Sequence, residues 1–326
     1  MISGRRRVNP VIISGLDAGR FSAHVWFTPW TLFQACALAA MLILHAGGVS
    51  LGSSGATAAA CAAILLFGLP HGALDLEIIS RQQSAGPAAM VAVLILYLGF
   101  AASVAALWSS APVAALTRFI IVAVVHFAED WCDLRSAFLA QCMAIAILTA
   151  PTLLHLSELE QLFIALSGRE EGAFVANIML LLAPVSTAVA CVCLFALWHG
   201  GRRNNAVVGG LTLSGMIFLP PVIAFALFFC LYHSPKHLSL AVRQVGPSFR
   251  TRSMVLLVTI AALGIAAVLF VRETQAGAAA PALAASFITL SILTVPHMIV
   301  PPIAKALGAR AIREGRHLLD QPSNGD

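Results

Sequence analysis

The stretch YHSPKHL (Tyr232–Leu238) closes a long apolar run and sets His233 and His237 four residues apart, with Ser234 and Lys236 between them. Two more polar pairs share that spacing: His71 and Asp75 in FGLPHGALDLEII, and His126 and Asp130 in VVHFAEDW. Residues at i and i+4 lie on one helix face, so each pair presents its groups together. Four neutral imidazoles can ligate a first-row transition metal, and both Fe(II) and Zn(II) suit them. Asp75 and Asp130 can accept the second ring N–H of a ligand and orient it, and Glu129 adds a third supporting carboxylate. A carboxylate at membrane depth is costly without such a partner. One histidine in an apolar helix can equally bond a carbonyl or cap a broken turn. Three pairs that reach the same depth make His71, His126, His233 and His237 a candidate metal set.

The remaining histidines are weaker candidates. His45 and His155 fall near the outer ends of apolar runs, His199 at an inner edge, and His24 and His317 in polar ends. His297, in TVPHMIVPP, lies inside a run loosened by Pro296, Pro301 and Pro302, and it is a candidate pocket or supporting residue. Phe228, Phe229 and Tyr232 adjoin the His233 motif; they are either ordinary packing or the walls of a site for a long apolar substrate. The seven cysteines lie in or beside apolar runs and read as small buried hydrophobes. Cys191 and Cys193 would face different sides of a helix, which makes them a poor metal pair. No phosphate loop or dinucleotide fingerprint is present.

The elements that must carry these residues are membrane helices. Hydrophobic residues make up 60% of the 326 and charged residues 10%, with a mean hydropathy of +0.91. A soluble domain is nearer one quarter charged. Apolar stretches long enough for about 30 Å of hydrocarbon recur from Thr31 to Leu307, and none alternates as a barrel strand would. The expected fold is an all-α polytopic bundle of about nine to ten membrane segments. The expected spans are residues 31–47, 56–79, 87–108, 112–131, 135–155, 174–198, 253–271 and 283–307, with 206–240 broken at Leu219–Pro221 into two short re-entrant arms. LSELEQLFIALSGREEG reads as an amphipathic surface helix. Residues 1–28 form a cytoplasmic N-terminal segment, 29–308 the bundle and 309–326 a cytoplasmic tail.

The net charge of +5 comes mostly from short inter-span segments and the ends, a pattern that fits membrane orientation rather than nucleic-acid binding. With Arg5, Arg6 and Arg7 inside, the basic segments after the second, fourth and sixth spans are also inside. This places the chain in a cell inner membrane with both ends cytoplasmic. The first apolar run lacks a convincing cleavage segment, so no cleaved signal peptide is expected. The re-entrant reading of 206–240 brings His233 and His237 to the side where His71 and His126 lie.

In PHGALD (Pro70–Asp75), HFAED (His126–Asp130) and YHSPKH (Tyr232–His237), in their order and separation, the chain resembles the Brp/Blh family of membrane beta-carotene 15,15'-dioxygenases. The resemblance covers most of the region from the second span to the last. It implies an iron-dependent enzyme that uses O2 to split beta-carotene at its central double bond into two retinals. It also implies that His71, His126, His233 and His237 hold Fe(2+). SPK between the last two of these histidines and the later PHM are local features that could reshape the pocket. Membrane lipid surrounds the bundle, and a retinal-binding membrane protein is an expected downstream partner. Two other readings stay open: a transporter of metal or lipid, and a noncatalytic partner of a retinal-binding membrane protein.

Overall fold

The structure, a computed structural model, describes the backbone of residues 29–83 and 86–319 and the side chains of residues 34–81 and 86–307. The expected N-terminal segment 1–28 and the last seven residues of the expected tail lie outside the described backbone.

Every regular element among the described residues is helical. The helices are α1 (Pro29–Ala46), α2 (Ser54–Ala63), α3 (Asp75–Gln83), α4 (Pro87–Ser110), α5 (Pro112–Ala128), α6 (Ala137–Thr149), α7 (Thr152–Ser167), α8 (Gly172–His199), α9 (Arg203–Phe218), α10 (Pro221–Leu227), α11 (Ser234–Val245), α12 (Phe249–Gln275) and α13 (Pro281–Leu319). Proline opens α4, α5 and α10, where its missing N–H has no intrahelical partner to lose. The side chains of Ser53, Ser136 and Ser248 cap α2, α6 and α12 by accepting from backbone amides.

Among the described residues, six helical segments are long and apolar enough to span a membrane: Ser54–Arg81, Pro87–Ser110, Pro112–Leu134, Gly172–His199, Phe249–Gln275 and Pro281–Leu307. The bent pair α6–α7 raises the number to seven. The chain is therefore a multi-pass membrane protein, but the expected nine to ten segments are corrected to six or seven. The described apolar part of α1, Gln34–Ala46, is too short to count. The region 206–240 is divided among α9, α10 and α11, and α9, the longest at 16 residues, reaches only about 24 Å. The expected fifth span, 135–155, is also corrected. Its helix stops at Thr149, and α7 leaves at 66° after Pro151, burying Leu159 and Phe163 while Glu158 stays exposed.

The bundle is layered around α13. Within Pro281–Leu307, 78% of the most apolar window is buried, against 6% in α4, so α13 is the central post and α4 faces outward. Its buried hydroxyls satisfy themselves on the turn below: Ser286 donates to Ala282 O (2.8 Å) and Thr289 to Ala285 O (2.7 Å). Ser291 accepts from Trp108 Nε1 of α4 (3.1 Å). At the far end Glu77 of α3 pairs with Arg81 (2.7 Å) and with Arg250 of α12 (3.0 Å), while Arg81 Nη1 donates to Val245 O of α11 (2.7 Å).

Two helices lose their regular hydrogen-bond ladder beside the histidines. Between α2 and α3 the chain makes a π turn, Ile64–Gly68, then a 3-10 turn, Leu69–Gly72; between α10 and α11 it makes a second π turn, Phe228–His233. Pro70 and Pro235 have no N–H to donate, and such switches absorb the missing bond. The carbonyls they leave are taken by side chains. Ser234 Oγ donates to Phe67 O (2.8 Å), which ties one π turn to the other. Buried Gln34 of α1 donates through Nε2 to Leu231 O, the carbonyl that Pro235 cannot serve.

Candidate metal centre

Three imidazoles from three segments converge in the interior. His71 sits on the 3-10 turn, His126 near the end of α5 and His233 at the end of the second π turn, and all are buried. His126 Nε2 lies 3.4 Å from His71 Nε2 and 3.0 Å from His233 Nε2. The ligand nitrogens of all three are within 4.8 Å of one another.

Their outer hydrogen bonds assign the tautomers. His71 Nδ1 donates to Gly68 O (2.6 Å), so its Nε2 carries a lone pair. His233 Nδ1 donates to Asp130 Oδ2 (2.7 Å), with the same consequence. Two lone pairs thus face the Nε2 of His126, whose buried Nδ1 has no hydrogen-bond partner. A cation among the three Nε2 atoms takes up the facing lone pairs, so the donor set fits a metal ion, and the proton of the His126 ring then sits on Nδ1, 3.9 Å from Glu129 Oε2. His233 lies outside the six candidate spans; burial pushes its imidazole down to about 4 against the upward pull of Asp130, so it is neutral near pH 7.

Asp130 is the hub of the outer shell. Besides His233 it receives His237, whose Nε2 is 3.2 Å from Oδ1. Lys236 Nζ donates to the Asp130 backbone carbonyl (2.6 Å) and stands 3.5 Å from Oδ1. His237 joins the ring cluster, 4.5 Å centroid to centroid from His233, but its Nε2 faces the carboxylate. Asp75 serves a different histidine from its sequence neighbour: its Oδ2 accepts from His297 Nδ1 (2.6 Å) and from Tyr97 Oη (3.4 Å). Glu129 is half-exposed, and its Oε2, 3.9 Å from His126 Nδ1, is beyond hydrogen-bond reach.

Phenylalanines close the cluster on one side. Phe229 stacks on His233 (5.4 Å, 12°) and meets His71 edge-on (5.6 Å); Phe228 packs edge-on against Phe127 (5.0 Å). Tyr232 stacks on Trp131 (5.6 Å), with Lys236 Nζ 5.6 Å above its ring. Two cavities of about 450 and 300 Å³ lie elsewhere, one beside Trp108 and Arg272, the other beside Pro220 and Leu283.

Other sequence candidates stay apart from the cluster. His155 bonds Glu158 (3.1 Å), and His199 packs on Phe195 (4.2 Å). The side chains of His24 and His317 lie outside the described residues. All seven cysteines are free, with Cys191 exposed and Cys193 buried. Tyr97, Ser234 and Gln34 support the site and were not anticipated. Their signal was present: a lone phenol or amide in an apolar helix needs a partner, and Ser234 directly follows His233.

The profile of a family described as beta-carotene 15,15'-dioxygenase matches residues 62–303, which include every histidine of the cluster. A beta-carotene 15,15'-dioxygenase from uncultured marine bacterium 66A03 is 27% identical over 255 residues, covering 74% of this chain and 91% of its own length. A Halobacterium salinarum protein named "Probable beta-carotene 15,15'-dioxygenase Blh" is 27% identical over 317 residues, covering 83% of this chain and 89% of its own. No solved structure matches.

Proposed function

The chain belongs to the beta-carotene 15,15'-dioxygenase family, and on that premise we propose that it cleaves beta-carotene at the central 15,15' double bond to give two retinals. The observation that carries this reading is the convergence of the buried His71, His126 and His233 Nε2 atoms, flanked on one side by phenylalanines. The metal is Fe(II), held by His71, His126 and His233 with His237 beside them. Bound there, Fe(II) supplies the binding and activation of O2 that a carbon–carbon double bond by itself does not.

The chain's residues do the rest by placement. Gly68 O fixes the His71 tautomer and Asp130 that of His233, so both present lone pairs without a proton having to leave. Neutral ligands suit this chemistry. One O2 and one beta-carotene give two aldehydes, each receiving one oxygen atom, so neither a protein base nor an outside reductant is required. Phe127, Phe228 and Phe229 are apolar walls that exclude water and hold a polyene at the histidines. The outward-facing apolar spans, α4 among them, support a substrate that dissolves in lipid.

The bundle, residues 29–308, lies in a cell inner membrane with its N-terminal segment and tail cytoplasmic. Retinal released there is available to a retinal-binding membrane protein. The test uses membranes loaded with beta-carotene, which should lose pigment and gain retinal only with the protein, iron and O2 all present. Iron-loaded protein that gives only off-centre products refutes the regiochemistry; protein that leaves the carotenoid intact points to transport or a noncatalytic role.

A further inference from the structure

A fifth histidine stands at the cluster, outside the four that the family resemblance implies. The His297 ring, on the central helix α13, is 5.0 Å from that of His71 and 5.2 Å from that of His126, centroid to centroid. The His237 ring is farther from both, at 6.1 and 5.5 Å. His297 Nδ1 donates to Asp75 Oδ2 at 2.6 Å, repeating the bond of His233 Nδ1 to Asp130 Oδ2 at 2.7 Å. That bond places a proton on Nδ1, so in the neutral ring the lone pair is on Nε2, as it is in His233. Ligating histidines commonly have this outer carboxylate, which fixes the ring and strengthens the donor. The approach is also built into the backbone: a Cβ at Gly72 would lie 2.9 Å from His297 Nδ1, so glycine beside His71 gives the ring its place.

We infer that His297 is a ligand of the metal centre, positioned by Asp75 as His233 is positioned by Asp130. The two carboxylates then form crossed supports. Asp75 follows His71 along its chain segment and orients His297, while Asp130 follows His126 and orients His233. His297 thereby couples the most buried of the candidate spans to the metal, and its bond to Asp75 ties α13 to the segment that carries His71. The inference rests on the reading that the cluster holds a metal.

The test is metal binding by the full-length protein, purified anaerobically in detergent and titrated with Fe(II) and, separately, with Co(II), whose visible spectrum reports its ligands. Wild-type protein should bind one ion per chain; failure at this step refutes the metal reading itself. His297→Ala should weaken binding at least tenfold and alter the Co(II) bands, and added imidazole should restore them. Asp75→Asn should weaken binding ten- to a hundredfold. Should His297→Ala not fold, His297→Gln retains an amide donor for Asp75 without the imidazole, and it should show the same loss with a wild-type unfolding temperature. Unchanged affinity and unchanged Co(II) bands in a folded His297 variant would reduce the Asp75–His297 bond to a helix tether and overturn the inference.

Discussion

The Asp130 carboxylate, four residues beyond His126, bonds His233 on a different segment at 2.7 Å, while the Nδ1 of His126 has no hydrogen-bond partner. This one bond joins α5 to the second π turn and sets the tautomer of a candidate ligand. Asp130 is buried, and removing the carboxylate strands what it serves: His233 Nδ1, His237 Nε2 and the nearby Lys236 ammonium. Asp130→Ala should cost about 3–5 kcal/mol of stability. Asp130→Asn should largely retain the fold and weaken metal binding about ten- to a hundredfold. Thermal unfolding and Fe(II) titration of the two variants separate these effects.

The histidines should not contribute equally. His71, His126 and His233 have mutually close Nε2 atoms, whereas His237 Nε2 is engaged by Asp130. Alanine at any of the first three should abolish stoichiometric iron, and His237→Ala should leave a larger fraction bound. Iron content per chain checks this ordering. Equal loss in all four variants would place His237 on the metal as fully as the others.

Gly68 is required by close approach. A Cβ there would stand 2.3 Å from the Phe229 ring, which is itself stacked on His233. Gly68→Ala should cost about 1–3 kcal/mol through overpacking and should shift His233 enough to lower iron occupancy. The smaller Phe229→Leu should relieve the strain, so the double variant should be more stable than the sum of the singles predicts. Strict additivity would mean that the glycine is there for another reason.

Ser234 fastens the two π turns through its bond to Phe67 O. Ser234→Ala leaves that carbonyl without this donor and should cost about 1–3 kcal/mol. Ser234→Thr keeps the hydroxyl and should lose less. A difference of less than a few tenths of a kcal/mol between wild type and Ser234→Ala, measured by unfolding in detergent, would show the bond to be dispensable.

Orientation is open to direct test. Single cysteines near Arg6 and Arg316, in an otherwise cysteine-free background, should label from the same side of the membrane, as the basic segments at both ends require. Labelling from opposite sides would favour a seventh crossing by the bent α6–α7 pair.

Much of this protein is set by local sequence. Long apolar runs make membrane helices because only internal hydrogen bonding satisfies a backbone in hydrocarbon. The four-residue spacings single out His71, His126, His233 and His237 with Asp75 and Asp130 because polar groups in such runs need partners. The number of spans was less legible, since hydropathy averages across the turn at Pro151 and the breaks at Leu219–Pro221, and it cannot see how steeply the chain leaves them. The choice of partner was decided only by the tertiary structure. Helical spacing puts Asp75 beside His71, yet the 3-10 turn after Pro70 rotates that register away, and Asp75 meets His297 instead. His297 has no charged or metal-ligating residue at helical spacing to mark it, and its place at the cluster depends on α13 packing through the middle of the bundle. Periodicity fixes which face of one helix a side chain occupies; which face of another helix it meets depends on how the whole bundle packs.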